Sequence, residues 1–168
     1  MKYKLFTKKH VESQEVQLQP GNFIVTSSNS LFDKITHIVT LSRWNHAGLV
    51  TDSNGTIIEL ETHGIQKSNI SEYSKKDYYV VDVDMSKEDR KQTVSYAEYM
   101  LKEHSEYGFL TILSIMFKIL THSRLVIKLD GTLICSEFVA KALAEGGVIW
   151  DKDTSLITPA DLYKKFVK

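Results

Sequence analysis

The period of the apolar residues changes once along this chain, and that change limits the folds open to it. Up to Val83 they mostly fall in short β-branched runs: Phe23-Ile24-Val25-Thr26, His46-Ala47-Gly48-Leu49-Val50, Thr56-Ile57-Ile58-Glu59-Leu60-Glu61 and Tyr78-Tyr79-Val80-Val81-Asp82-Val83. From Ser86 onward they recur at helical spacing. Strands first and helices later predict an α+β domain and argue against a doubly wound sheet. Pro20-Gly21 marks a turn before the first run. Asp52-Ser53-Asn54-Gly55 joins the second run to the third as a hairpin, because Asn-Gly supplies the left-handed residues such a turn needs. One helix interrupts the strand half: Ser30 caps apolar positions at Leu31, Ile35, Ile38, Val39 and Leu41.

In the second half, Ser86-Lys87-Glu88-Asp89 has the pattern of a capping box and opens a helix through Tyr96, Tyr99, Met100 and Leu101. Another helix is expected from Phe109 to Leu120. A third begins near Cys135 and runs through Phe138, Val139, Ala142 and Leu143 to a stop at Gly146-Gly147. The last is announced by Thr158-Pro159-Ala160-Asp161, with a capping threonine, proline at the first helical position and aspartate closing the box. With no internal repeat and no Pro-, Gly- or Ser-rich linker, residues 1–168 are expected to form one domain, 1–20 being a polar arm or at best a short strand.

Composition narrows the function classes. A chain of 168 residues with 42% hydrophobic and 25% charged side chains can bury a core and is too apolar for disorder. Lys+Arg and Asp+Glu are both 21, so the basic excess of a nucleic-acid binder is missing and no nucleic-acid partner is expected. The first ten residues are basic but lack the apolar region of a signal peptide. The longest greasy stretch, Phe109 to Leu120, spans 12 residues with Lys118 inside it, too short for a membrane span. The expectation is a cytoplasmic protein with no transmembrane segment, a peripheral lipid contact being left open. Oligomeric state is not encoded in these patterns.

The chain has one cysteine and six histidines. One cysteine excludes an internal disulfide and a cysteine-rich zinc framework. Cys135 lies in Leu133-Ile134-Cys135-Ser136-Glu137-Phe138, where an apolar run meets a helix. A helix start favours the reactive thiolate, and its free N–H groups can hold an oxyanion. The alternative is an inert buried thiol. His46 begins a strand, where its side chain can project into a cleft and take a thiol proton. Glu59 lies 13 positions on, across the Asn-Gly hairpin, and could hold the imidazole in the right tautomer (59 − 46 = 13). Strand alternation places Glu59, Glu61 and His63 on one face, with Glu59 in the more apolar stretch. His46, Glu59, Glu61 and His63 could also be drawn as metal ligands. No His-Glu-x-x-His helix or Cys pair accompanies them, so no metal and no other cofactor is expected. His10, His37, His104 and His122 are taken as ordinary histidines.

Together, Trp44-Asn45-His46-Ala47-Gly48-Leu49-Val50, Ile57-Ile58-Glu59, Tyr107-Gly108-Phe109, Cys135-Ser136-Glu137-Phe138 and Ile157-Thr158-Pro159-Ala160-Asp161-Leu162 resemble the permuted NlpC/P60 proteins. These are papain-like cysteine hydrolases, with lecithin:retinol acyltransferase-type enzymes among their relatives. The resemblance runs from about Gly21 to the last helix. In the usual papain-like order the Cys helix precedes the His strand. Here the order is His, Glu, Cys, as a circular permutation would give.

The resemblance implies a small antiparallel sheet or partial barrel packed against helices. It makes Cys135 the nucleophile, His46 the general base and Glu59 the ring-orienting residue, with Glu61 as the fallback. The family often has His or another polar residue where this chain has Glu59. Tyr107 falls where relatives place an aromatic lining the substrate cleft. The function implied is cysteine-dependent hydrolysis of amide bonds through an acyl-thioester, on a peptide or small amide substrate. Two alternatives stay open: an acyltransferase or thioesterase on lipid substrates, for which Phe109 to Leu120 could be the docking helix, and a module that binds a small amine or peptide without turnover.

Overall fold

A computed structural model of the chain describes residues 5–7, 18–27, 44–61, 64–104 and 135–167. Its β-branched runs pair as one antiparallel sheet of six strands among these residues, in the order β1-β6-β2-β3-β4-β5. The strands are β1 (Leu5–Thr7), β2 (Phe23–Ser27), β3 (His46–Val50), β4 (Thr56–Glu61), β5 (Gly64–Asn69) and β6 (Asp77–Val81). The helices are α1 (Lys87–His104), α2 (Cys135–Glu145) and α3 (Pro159–Phe166). Short 3-10 turns cover Ile70–Tyr73 and Thr154–Leu156. The molecule is a mixed α+β protein, as the segregated periods predict. The expected helices at residues 31–41 and 109–120 lie outside the described residues.

The β3–β4 hairpin forms where Asp52-Ser53-Asn54-Gly55 signals it. Asp52 Oδ1 accepts from the N–H groups of Asn54 (2.8 Å) and Thr56 (2.9 Å), and Oδ2 from Thr56 Oγ1 (2.7 Å). Gly55 takes φ +82°, in the left-handed region that an L side chain resists. The last strand is shorter than Tyr78–Val83. It ends at Val81 because the next residues serve Arg90 instead: the guanidinium donates to Val83 O (2.6 Å) and Asp82 Oδ1 (3.2 Å). Arg90 also donates to Pro20 O (2.8 Å) and Asn22 Oδ1 (2.9 Å), so one side chain of α1 fastens both strand ends.

Each sheet face carries its own apolar cluster. Phe23, Val25, Ala47, Leu49 and Ile58 pack with Phe138, Val139 and Leu143 of α2 and with Leu162 and Phe166 of α3. Each fully buried Leu or Phe side chain of this kind contributes roughly 1.5–3 kcal/mol of transfer free energy. The other face holds Ile24, Val50, Ile57, Tyr73, Tyr78 and Val80. Strand alternation puts His46 and Gly48 on this second face with Val50, and Glu59 and Glu61 with Ile57.

Both ends of α2 are fixed. Val148 N–H donates to Leu143 O (3.0 Å) and Gly147 N–H to Ala144 O (2.9 Å), with Gly147 at φ +84°, so the helix closes in a Schellman motif. At its start, Ser136 Oγ donates to the buried Ile157 O at 2.7 Å, tying the first turn to the segment before α3. That segment is itself fixed by the expected box, in which Thr158 and Asp161 cap each other.

Candidate active site

His46 opens β3, opposite Thr26 of β2. On its other side Glu59 pairs with Gly48, two residues along, so His46 and Glu59 meet diagonally across the β3–β4 ladder. The diagonal is short because Gly48 has no side chain. A Cβ there would lie 3.3 Å from Glu59 Oε2, 3.2 Å from Glu59 Cβ and 2.6 Å from Ile57 Cγ2. In the space left, Glu59 Oε2 comes to 2.7 Å from His46 Nε2. Both residues are buried, Glu59 to 2% exposure.

Three donors converge on the Glu59 carboxylate. Beside His46 on Oε2 is the Tyr73 hydroxyl, and Ser68 Oγ of β5 donates to Oε1. Burial alone would raise the carboxyl's pKa. The hydrogen bond and charge of His46, with the two hydroxyls, outweigh that and hold it below the usual glutamate value. Tyr73 is pushed the other way by burial and by the Glu59 charge, so its phenol keeps its proton and remains a donor.

The same balance fixes the imidazole. Burial works to lower the His46 pKa, but hydrogen bonds and attraction from Cys135 and Glu59 overcome it and raise it well above the ordinary value of 6.5. An ionised carboxylate can only accept, so Nε2 carries a hydrogen and donates it to Glu59. Nδ1 is then the ring nitrogen left for the Cys135 thiol, whose interaction with the imidazole helps raise its pKa. Cys135 is the first residue of α2 and is partly exposed. The first N–H groups of that helix have no partner within it.

The structure thus pairs His46 directly with Glu59, and Cys135, 76 positions after Glu59 (135 − 59 = 76), acts on the same imidazole. Glu61 lies further from the ring, 3.6 Å from Nε2, with its side chain 38% exposed. Glu59 is the closer and better-anchored partner of the two. His46, Glu59 and Glu61 do place one donor atom each within 4.8 Å of one another. Both Glu59 oxygens already accept from hydroxyl and imidazole donors. Tyr107, expected to line a substrate cleft, lies outside the described residues, as do His10, His37, His63 and His122. No helix among the described residues is long and apolar enough to cross a membrane.

Ser68 and Tyr73 were not foreseen from sequence. The Asn69…Glu72 spacing, which forms a capping box in the structure, signals the turn that carries Tyr73. Nothing local connects its phenol to a carboxylate 14 positions earlier. Compared with protein-family models and with curated proteins, the chain finds no match.

Proposed function

We propose that this chain is a cysteine-dependent hydrolase of amide bonds, built on a permuted NlpC/P60-like version of the papain-like fold. The observation that carries the reading is the His46 ring, 2.7 Å from a buried carboxylate held below its usual pKa and itself acted on by the Cys135 thiol. A buried thiol needs no such ring, and a ring held only for packing needs no buried acid. The chain order of His on β3, acid on β4 and Cys at a later helix start also suits the permuted arrangement.

In this mechanism His46 Nδ1 takes the proton of Cys135, giving a thiolate–imidazolium pair steadied by Glu59. The thiolate attacks the carbonyl carbon of the substrate. The oxyanion so formed is held by backbone N–H groups at the start of α2, that of Cys135 among them. As the C–N bond breaks, the imidazolium returns its proton to the leaving amine, and an acyl-thioester remains on Cys135. Water then gives a proton to His46 and attacks the thioester, which releases the carboxylic acid and restores the thiol. An alcohol or amine in place of that water would make the same site an acyltransferase.

The experiment is covalent trapping with p-nitrophenyl acetate, an activated acyl donor that asks little of substrate specificity. The wild type is expected to carry one acetyl group on the Cys135 peptide by mass spectrometry and to release p-nitrophenol repeatedly, while Cys135→Ala does neither. An unacylated wild type, or turnover undiminished in Cys135→Ala, overturns the proposal.

A further inference from the structure

The Glu59 carboxylate is fastened on the side away from His46 by two hydroxyls that come from different elements. Ser68 reaches Oε1 from the edge strand β5, and Tyr73 reaches Oε2 from the 3-10 turn that follows it. A carboxylate turns easily about its terminal torsion, whose preferences are broad. Donors on both oxygens remove that freedom. Tyr73 is itself firmly placed. It is buried against Ile24, Val50, Ile57, Tyr78 and Val80, and its ring lies nearly parallel to that of His46, at 10° with centroids 6.5 Å apart. Its turn is closed by Asn69 and Glu72 in a capping box.

We propose that Ser68 and Tyr73 are positioning residues, acting through Glu59 to keep its carboxylate aimed at Nε2 of His46. What the site is used for rests on the hydrolase reading; its internal geometry does not. The charged and titratable groups around Glu59 among the described residues are His46 on β3, Glu61 on β4 and Tyr73 on the turn, with neutral Gln66 its ladder partner on β5. Of these, Glu61 opposes a negative charge on Glu59 by its proximity, whereas His46 and the hydroxyls favour it. Without the hydroxyls the carboxylate takes up a proton at higher pH and lets go of the imidazole.

The test is the rate of alkylation of Cys135 by iodoacetamide across about pH 4–8, a reaction that needs no substrate. The expected result is that Tyr73→Phe and Ser68→Ala each slow alkylation about tenfold at the acid end and move the acid limb toward neutrality by up to about one unit. In a Glu59→Gln background the added Tyr73→Phe should change the rate less than about twofold, because its effect passes through the carboxylate. Unchanged profiles in both single variants overturn the proposal. So does an equal slowing by Tyr73→Phe with and without Glu59, the mark of a purely structural role. Ser68, half-buried on an edge strand, gives the same test with less risk to folding. Turnover of p-nitrophenyl acetate is read in parallel. Hydroxyl-dependent alkylation without ester turnover keeps the positioning role and removes the hydrolase reading, and turnover with flat alkylation profiles does the reverse.

Discussion

Gly48 is a residue whose value lies in what it lacks. It stands between His46 and Glu59 on the β3–β4 ladder, and any Cβ there presses on both Ile57 and the Glu59 carboxylate. Its backbone φ is not in the left-handed region, so the demand is for space and not for unusual conformation. Gly48→Ala is therefore expected to destabilise by overpacking, about 1–3 kcal/mol. For a chain of this size that is a drop of roughly 2–4 °C in Tm per kcal/mol. It should also push Glu59 off the imidazole and slow Cys135 alkylation. Thermal unfolding and the alkylation rate, measured together, check this; a variant with wild-type values in both would show that the gap is incidental. The residues of the site differ in how far local sequence revealed them. Cys135 is singular, His46 heads a strand, and Glu59 stands at hairpin distance from it. Ser68 and Tyr73 touch the site only through the completed sheet.

The elements were legible where one periodicity ran unopposed. The Asn-Gly hairpin, the Thr158 box and the Gly146-Gly147 stop rest on chemistry within a few residues and are formed. At Ser86 the hydroxyl accepts from Asp89 N–H and donates to Asp89 Oδ2, without the reciprocal backbone half of a box. β5 escaped because Gly64-Ile65-Gln66-Lys67-Ser68-Asn69 has a single strongly apolar residue; its strand state comes from pairing with β4, a tertiary effect that outweighs intrinsic preference. β1 is a similar case, three residues recruited by β6 at the opposite sheet edge. Gly146 shows a further demand that pattern alone hides. A Cβ there would lie 2.0 Å from Thr93 Oγ1 and 2.9 Å from Asp89 O, so this glycine lets the C-terminal end of α2 lie against α1. The α2 N-terminus is set by the opposite kind of contact, the Ser136 bond to Ile157 O, and that bond holds Cys135 in place beside the sheet.

For the molecule as a whole, a buried imidazole and a buried carboxylate tie stability to pH. His46 has a folded pKa above 6.5, so its contribution is complete below about pH 6.5 and is lost as pH rises through the folded value. Glu59 has a folded pKa below 4.5, so its contribution is present above about pH 4.5 and is lost as pH falls through the folded value. Both act together between those limits. Tm measured from about pH 3 to pH 10 should be highest there for the wild type. In His46→Gln the alkaline decline should flatten, and the acid decline should begin at higher pH because Glu59 has lost its partner. A His46→Gln curve parallel to that of the wild type would mean that the pair does not couple to folding. Whether Cys135 and His46 act as one chemical unit is read from the rate of Cys135 alkylation by iodoacetamide at about pH 6, in the wild type and in His46→Ala. An unassisted thiol, with a pKa near 8.5, is less than about 1% thiolate at that pH. The wild type is expected to react at least about tenfold faster than such a thiol, and His46→Ala to lose the advantage. Equal, slow rates in the two proteins would contradict that pairing.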